Sequence, residues 1–207
     1  MLVQYHIEMC RRALSDVFSP AALETIIAAN IAQDNLRGQI GHPEFHFDNS
    51  AFAAGNLYLE QQRQESLTAL SQQDADAARR AFGRLTHAAQ DFYAHSNYIA
   101  LWLARYPAEG RPAPPQVDPL DPEILQHPEL RSGRVYPLEA LTYLPALRPL
   151  VRRLLPPDAH IHMNLDYPAR GPLFPYALEA AVKRTRHELH RTLELLPAEQ
   201  HLVFLGA

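Results

Sequence analysis

The 207-residue chain carries 19 Lys and Arg against 23 Asp and Glu, a formal charge of -4, so no basic field argues for general nucleic-acid binding. With 47% apolar residues there is enough hydrophobic side chain to bury a core, which excludes disorder and fits one domain over residues 1–207. The single Cys10 closes no intrachain disulfide, no signal-peptide pattern opens the chain, and no apolar run approaches the roughly eighteen residues of a membrane span, so a cytoplasmic place is the default expectation.

Residues 2–17 set Leu2, Ile7, Cys10, Leu14 and Val17 at three- and four-residue steps, which predicts a helix ending near Ser19 and Pro20. Ser19 as N-cap and Pro20 at the first helical position then predict a second helix to about Arg37, stopped by Gly38 and Gly41. Gly41 to Ser50 reads as a loop, and Phe52 to Ser71 as a polar-faced helix. Asp74 or Asp76 can cap the fourth helix, whose apolar face runs Phe82, Leu85, Ala89, Phe92, Ile99 and Leu103 with one gap at Ser96.

Prolines at 107, 112, 114, 115, 119 and 122 rule out a continuous helix from Arg105 to Pro122 and leave a lid or an irregular wrap. Short helical pieces follow between Pro137 and Leu155, a break falls at Pro156 and Pro157, and a last helix runs from about Pro175 to Leu196. No strand alternation persists and no repeat is visible, so the expected fold is all-α, a multi-helix bundle.

Eleven histidines are many for this length. His87, Asp91 and His95 fall at i, i+4 and i+8, and each such step turns the helix by about 40°, so the three side chains form one slanting stripe. Imidazole nitrogen and carboxylate oxygen are the ordinary non-sulfur zinc ligands. By spacing alone, a ligand stripe and a solvated face with titrating histidines stand level. Ala88, Ala94 and Tyr98 near the stripe, a second group at His42, His46 and Asp48, and a third at His160, His162 and Asp166 favour a site assembled from several helices.

Thr86-His87-x-x-Gln90-Asp91-Phe92-Tyr93-Ala94-His95-Ser96-Asn97-Tyr98 resembles the signature of the Het-C family, a relative of zinc-dependent phospholipase C and the single-strand nucleases. Asp34, with Phe45-His46-Phe47-Asp48 behind it, is similar to the Asp and His-Phe-x-Asp of those enzymes. The stretch from His160 to Pro168 resembles a Het-C segment, with Met163 and Leu165 departing from it.

The resemblance implies a first metal on Asp34, His46, His87 and Asp91, and a second on His95, His160 or His162, and Asp166. His6 would belong to a third, and Asp91 would bridge two ions. It implies two or three Zn²⁺, with Ca²⁺ or Mn²⁺ as alternatives, and Asp34 and Asp91 as catalytic carboxylates. The implied activity is phospholipase-C-like hydrolysis of a phospholipid or other phosphodiester by metal-activated water, with peripheral membrane contact and nucleic acid the weaker substrate. The alternatives are a nuclease-type phosphodiesterase and a non-catalytic, metal-braced domain that binds a membrane or a partner.

Asp48 reads either as the acceptor that orients His46 or as a cap before Phe52. Tyr93, Tyr98 and Trp102 read as core in preference to an apolar entrance. His187 and His190 read as partners of a helix end, and His127 and His201 as surface.

Overall fold

The computed structural model describes residues 1–39 and 41–206, whose regular secondary structure is all helical, with two isolated bridges, Ser96 with Ser132 and Arg134 with Ala159, in place of any strand. The all-α expectation holds. The chain opens with α1 (Val3–Leu14) and α2 (Pro20–Ile31), where Ser19 Oγ accepts the Ala22 N–H at 3.4 Å as a capping residue should.

The second helix stops at Ile31 rather than near Arg37, giving way to a 3₁₀ turn (Ala32–Asp34), an extended Asn35 and the short α3 (Leu36–Gln39). Gly38 permits this doubling back, because a Cβ there would stand 2.0 Å from the Gln33 carbonyl oxygen. The expected loop from Gly41 to Ser50 contains α4 (Pro43–His46) and a 3₁₀ turn (Asp48–Ser50).

Next come α5 (Phe52–Ser71) and α6 (Ala75–His95), the latter capped by Asp74 Oδ1 on the Ala77 N–H at 2.8 Å. The gap at Ser96 is a true break: Ser96 is extended (φ -102, ψ 167), and α7 (Tyr98–Ala104) starts afresh. After α8 (Pro122–Leu125), α9 (Arg148–Leu154) and α10 (His160–Met163), the chain closes with α11 (Phe174–Glu194) and an additional α12 (Ala198–Leu205).

The Pro-rich excursion wraps the outside of α6, α7 and α11. Hydroxyls of Tyr93, Tyr98 and Tyr176 donate to the carbonyls of Pro119, Asp118 and Pro112, and Lys183 Nζ donates to Val117. Tyr93, Tyr98 and Trp102 are core residues.

Helix α6 is the axis of the molecule and packs against α2, α5 and α11, with α1 lying against α2 and α11. Every residue of α6 from Leu85 to His95 is buried. Its Thr86 and Gln90 are satisfied internally: Asn30 Nδ2 donates to Thr86 Oγ1 and Gln90 Oε1, both at 3.1 Å, and Gln90 Nε2 donates to Thr185 Oγ1 at 3.0 Å.

Cys10 lies in the same layer, accepts from Gln90 Nε2 at 3.4 Å, and has its thiol pushed up to about 11 by burial. Since the thiolate is the reacting form, iodoacetamide should leave Cys10 unmodified in the folded protein near neutral pH and label it only on unfolding. Mass spectrometry along a urea gradient checks this, and rapid labelling without urea would count against the packing described.

Candidate metal centre

Three elements deliver four side chains to one buried region around α6. The turn after α2 brings Asp34, the end of α4 brings His46, and α6 brings His87 and Asp91 one turn apart. His46 Nδ1 lies 2.9 Å and His87 Nε2 3.2 Å from the same Asp91 oxygen, Oδ2, and the two nitrogens are 3.1 Å apart. Asp34 Oδ1 closes the group at 3.8 Å from His87 Nε2. One donor atom from each of the four lies within 4.8 Å of every other.

A second group follows on the C-terminal side. Asp48 Oδ1 stands 3.3 Å from His95 Nδ1 and 4.0 Å from His160 Nε2, and His95 Nε2 meets Asp166 Oδ1 at 3.2 Å. Asp91 lies between the two groups: its other oxygen, Oδ1, is 3.3 Å from His6 Nε2, 3.9 Å from His95 Nε2 and 2.5 Å from the Met1 amine.

His6 stacks on His87 with ring centroids 4.3 Å apart and is held by Gln90 Oε1 at 2.7 Å from its Nδ1.

Local backbone geometry explains how Asp48 and His46 reach the site together. Phe47 (φ 54), Asn49 (φ 57) and Ser50 (φ 54) all adopt the left-handed region that non-glycine residues seldom visit. This contortion turns Asp48 inward and leaves the His46 carbonyl to bond His95 Nδ1 at 3.0 Å. Nothing in the residue pattern signals three departures of this kind within four residues. Asp48 is thus a member of the second group, where its sequence suggested only an orienting or capping role.

Of His160 and His162, His160 lies beside Asp48 and His95, whereas His162 is exposed and its Nε2 donates to the Arg152 carbonyl at 3.0 Å. His42 stays outside, stacked on Phe45 and paired with Glu44. The stripe is no solvated face, because His87 and Asp91 are fully buried and His95 nearly so.

Electrostatics follow from this enclosure. Burial holds His87 well below the ordinary imidazole range, helped by the neighbouring His6, and so keeps it neutral. Burial also pushes His95 down, but the charges of Asp91 and Asp48 more than reverse it, and His95 ends well above that range. Burial raises Asp34, and Asp91 adds to the rise. For Asp91 the burial effect is overcome by the terminal amine and the surrounding histidines, which hold it well below the usual carboxylate range.

The donor set fits cations. Asp48 Oδ1 and His160 Nε2 are buried without a hydrogen-bond partner, and their 4.0 Å separation is too long for a hydrogen bond yet short enough for both to hold one ion. His46 Nδ1, His87 Nε2 and Asp91 Oδ2 converge pairwise at 2.9–3.2 Å, and a single cation would satisfy all three. A cavity of about 270 Å³ lined by Phe47, Phe52, Leu59, Phe92, Arg184 and Arg191 lies elsewhere, and none of these histidines or aspartates lines it.

Fold and site thus define a helical domain with a buried His/carboxylate centre. Residues 5–106, a little under half of the chain, match the family model described as the VWA7 N-terminal domain. Over 81 residues, 39% of this chain, it is 40% identical to von Willebrand factor A domain-containing protein 7 of Rattus norvegicus and 38% identical to that of Mus musculus and of Homo sapiens. The matched stretch covers 9% of each relative's length. No solved structure matches.

These matches overturn the resemblance to the Het-C family, since the Thr86–Tyr98 motif and the Asp34 and Phe45–Asp48 positions that chiefly carried it fall in the region matching the VWA7 N-terminal domain. The expectations that rested on it, a hydrolase, a phospholipase-C-like enzyme and a nuclease-type phosphodiesterase, are corrected with it, because the matches point to no known hydrolase family. The physical reason lies in α6. Thr86 and Gln90 of the motif serve internal hydrogen bonds and Phe92, Tyr93 and Tyr98 serve the core, so these positions of the pattern serve packing around the centre. Among the described residues no helix is long and apolar enough to cross a membrane.

Proposed function

We propose that this chain is a cation-binding helical domain. One divalent ion is held by Asp34, His46, His87 and Asp91, and a second by Asp48, His95 and His160 with Asp166 beside it. Zinc is the first candidate, because the donors are imidazoles and carboxylates without thiolate, and Mn²⁺ or Ca²⁺ would use the same oxygens.

The observation that carries the reading is the convergence of seven buried or half-buried donors from separate segments into two groups, with Asp48 Oδ1 and His160 Nε2 buried without a hydrogen-bond partner. Asp91 faces both groups and couples them. His6 takes the role of a neighbour that Gln90 positions against Asp91. Since these segments come together only in the folded chain, ion binding would stabilise the fold.

Metal analysis by plasma mass spectrometry combined with thermal melting tests this. About two ions per chain are expected after dialysis against zinc. Free zinc at a hundred times its dissociation constant should add about 2.7 kcal/mol of stability. Asp34→Ala should cost roughly one ion, by removing a carboxylate ligand from the first group only. A chain that takes up neither zinc, manganese nor calcium, and whose melting temperature ignores a chelator, would sink the reading.

A further inference from the structure

Between Val135 and Leu154 the surface changes character. The 3₁₀ helix Pro137–Tyr143 places Leu138 and Leu141 three residues apart, so that they eclipse, and Leu144 continues the row. Leu147, Leu150 and Leu154 extend it along α9 at helical steps of three and four. All six are exposed, Leu150 by 58% and Leu154 by 64%.

The adjoining side of the same segment is anchored. Val151 and Leu155 pack with Ala159, Tyr136 and Ile161, and Glu139 accepts the N–H groups of Tyr136 and Ile161, both at 3.2 Å. The outward leucines are therefore presented by a fixed backbone. Arg148, Arg152 and Arg153, exposed, form the polar remainder of the α9 surface, and no described acidic side chain pairs with any of the three.

We propose that this face docks onto a membrane surface rich in anionic lipid, the leucines entering the headgroup boundary and the three guanidiniums meeting lipid phosphates and carboxylates. Charge selects the occupant. A second copy of this chain would bring three unpaired guanidiniums against three more, which opposes association. The leucines project singly instead of lining a cavity, and an acyl boundary accepts projecting side chains without matched shape. The chain as a whole is acidic, at -4, so a local cluster of unpaired arginines gives orientation as well as affinity.

Vesicle co-sedimentation of the full 207-residue chain tests the proposal. The chain should bind vesicles of phosphatidylcholine mixed with phosphatidylserine and bind pure phosphatidylcholine far less. Arg148→Gln, Arg152→Gln and Arg153→Gln together should weaken binding about a hundredfold. Leu150→Ser with Leu154→Ser should weaken it at least about tenfold. Because these side chains are exposed, melting temperature and circular dichroism should not change, which separates lost binding from lost folding. No binding to the mixed vesicles, or wild-type binding by both variants, would overturn the proposal. So would a dimer seen in analytical ultracentrifugation that the leucine variant abolishes while vesicles bind nothing, which would assign the face to a second copy. Binding of an acidic protein with no vesicle binding would equally reject lipid.

Discussion

Glu188→Gln should destabilise the fold by about 3–5 kcal/mol, the range for removing one partner of a buried ion pair. Arg63 on α5 is fully buried and sends Nη2 to Glu188 Oε2 at 2.6 Å, while Arg184, one turn before Glu188 on α11, reaches Oε1 at 2.5 Å. Thr192 Oγ1 accepts from Arg63 Nη1 at 3.1 Å and Glu60 from its Nε at 3.3 Å, so the guanidinium is oriented as well as neutralised. Glutamine keeps the volume but leaves two guanidiniums short of a counter-charge.

The pH dependence has a definite sign. Burial raises the Glu188 carboxyl, but Arg184 and Arg63 more than offset this, and its folded value lies below the ordinary one. The stabilisation is then present above the unfolded value of about 4.3 and is lost as pH falls through the folded value. Urea unfolding of both proteins should show the full gap at neutral pH and a narrowing one in acid. A gap that stayed constant through acid, or a neutral-pH loss under about 1 kcal/mol, would mean that the two arginines do not depend on this carboxylate.

Arg63, Arg184 and Glu188 also show where reading the sequence ends. The charges at 184 and 188 look like an ordinary i, i+4 pair on a solvated face, and only the packing of α5 against them reveals an enclosed network. The same assumption misleads on α6. Its apolar periodicity was legible, as were the cap at Asp74 and the interruption at Ser96, because these are local. That the opposite, polar face is also buried was not, because α2, α5 and α11 surround the helix on all sides.

His87, Asp91 and His95 could be found from spacing, and Asp34, His46, His160 and Asp166 as scattered donors of the right type. Asp48 could not, since its orientation depends on left-handed backbone at Phe47, Asn49 and Ser50. The choice of His160 over His162 likewise waited on the bridge between Arg134 and Ala159. A motif rich in packing residues suggested a family and an activity that the matches to known proteins do not bear out.

That bridge gives the sharpest test of how the second group is built. If the two groups hold cations as proposed, Gly133→Ala should weaken the second by roughly ten- to a hundredfold, the effect typical of disturbing the partners that orient metal ligands, while leaving the first in place. Gly133 touches all three segments that supply the group: its N–H donates to the His95 carbonyl at 2.9 Å, its carbonyl accepts from Asn49, beside Asp48, at 2.8 Å, and its Cα faces His160. A Cβ at this position would stand 2.6 Å from His160 Cα, which is backbone and cannot swing aside. His160 is fixed from that side, because its N–H donates to the Arg134 carbonyl at 2.8 Å while the Arg134 N–H donates to Asp158 at 2.8 Å. The methyl group therefore has to move the start of α10, and with it the imidazole, away from Asp48 and His95. The overpacking itself should cost about 1–3 kcal/mol, small enough for the variant to fold. Isothermal titration of the metal-free variant with zinc separates the outcomes: one tight and one weakened ion is the expected result. Two unchanged ions would remove His160 from the second group, and loss of both together would make Asp91 the pivot of a single indivisible centre.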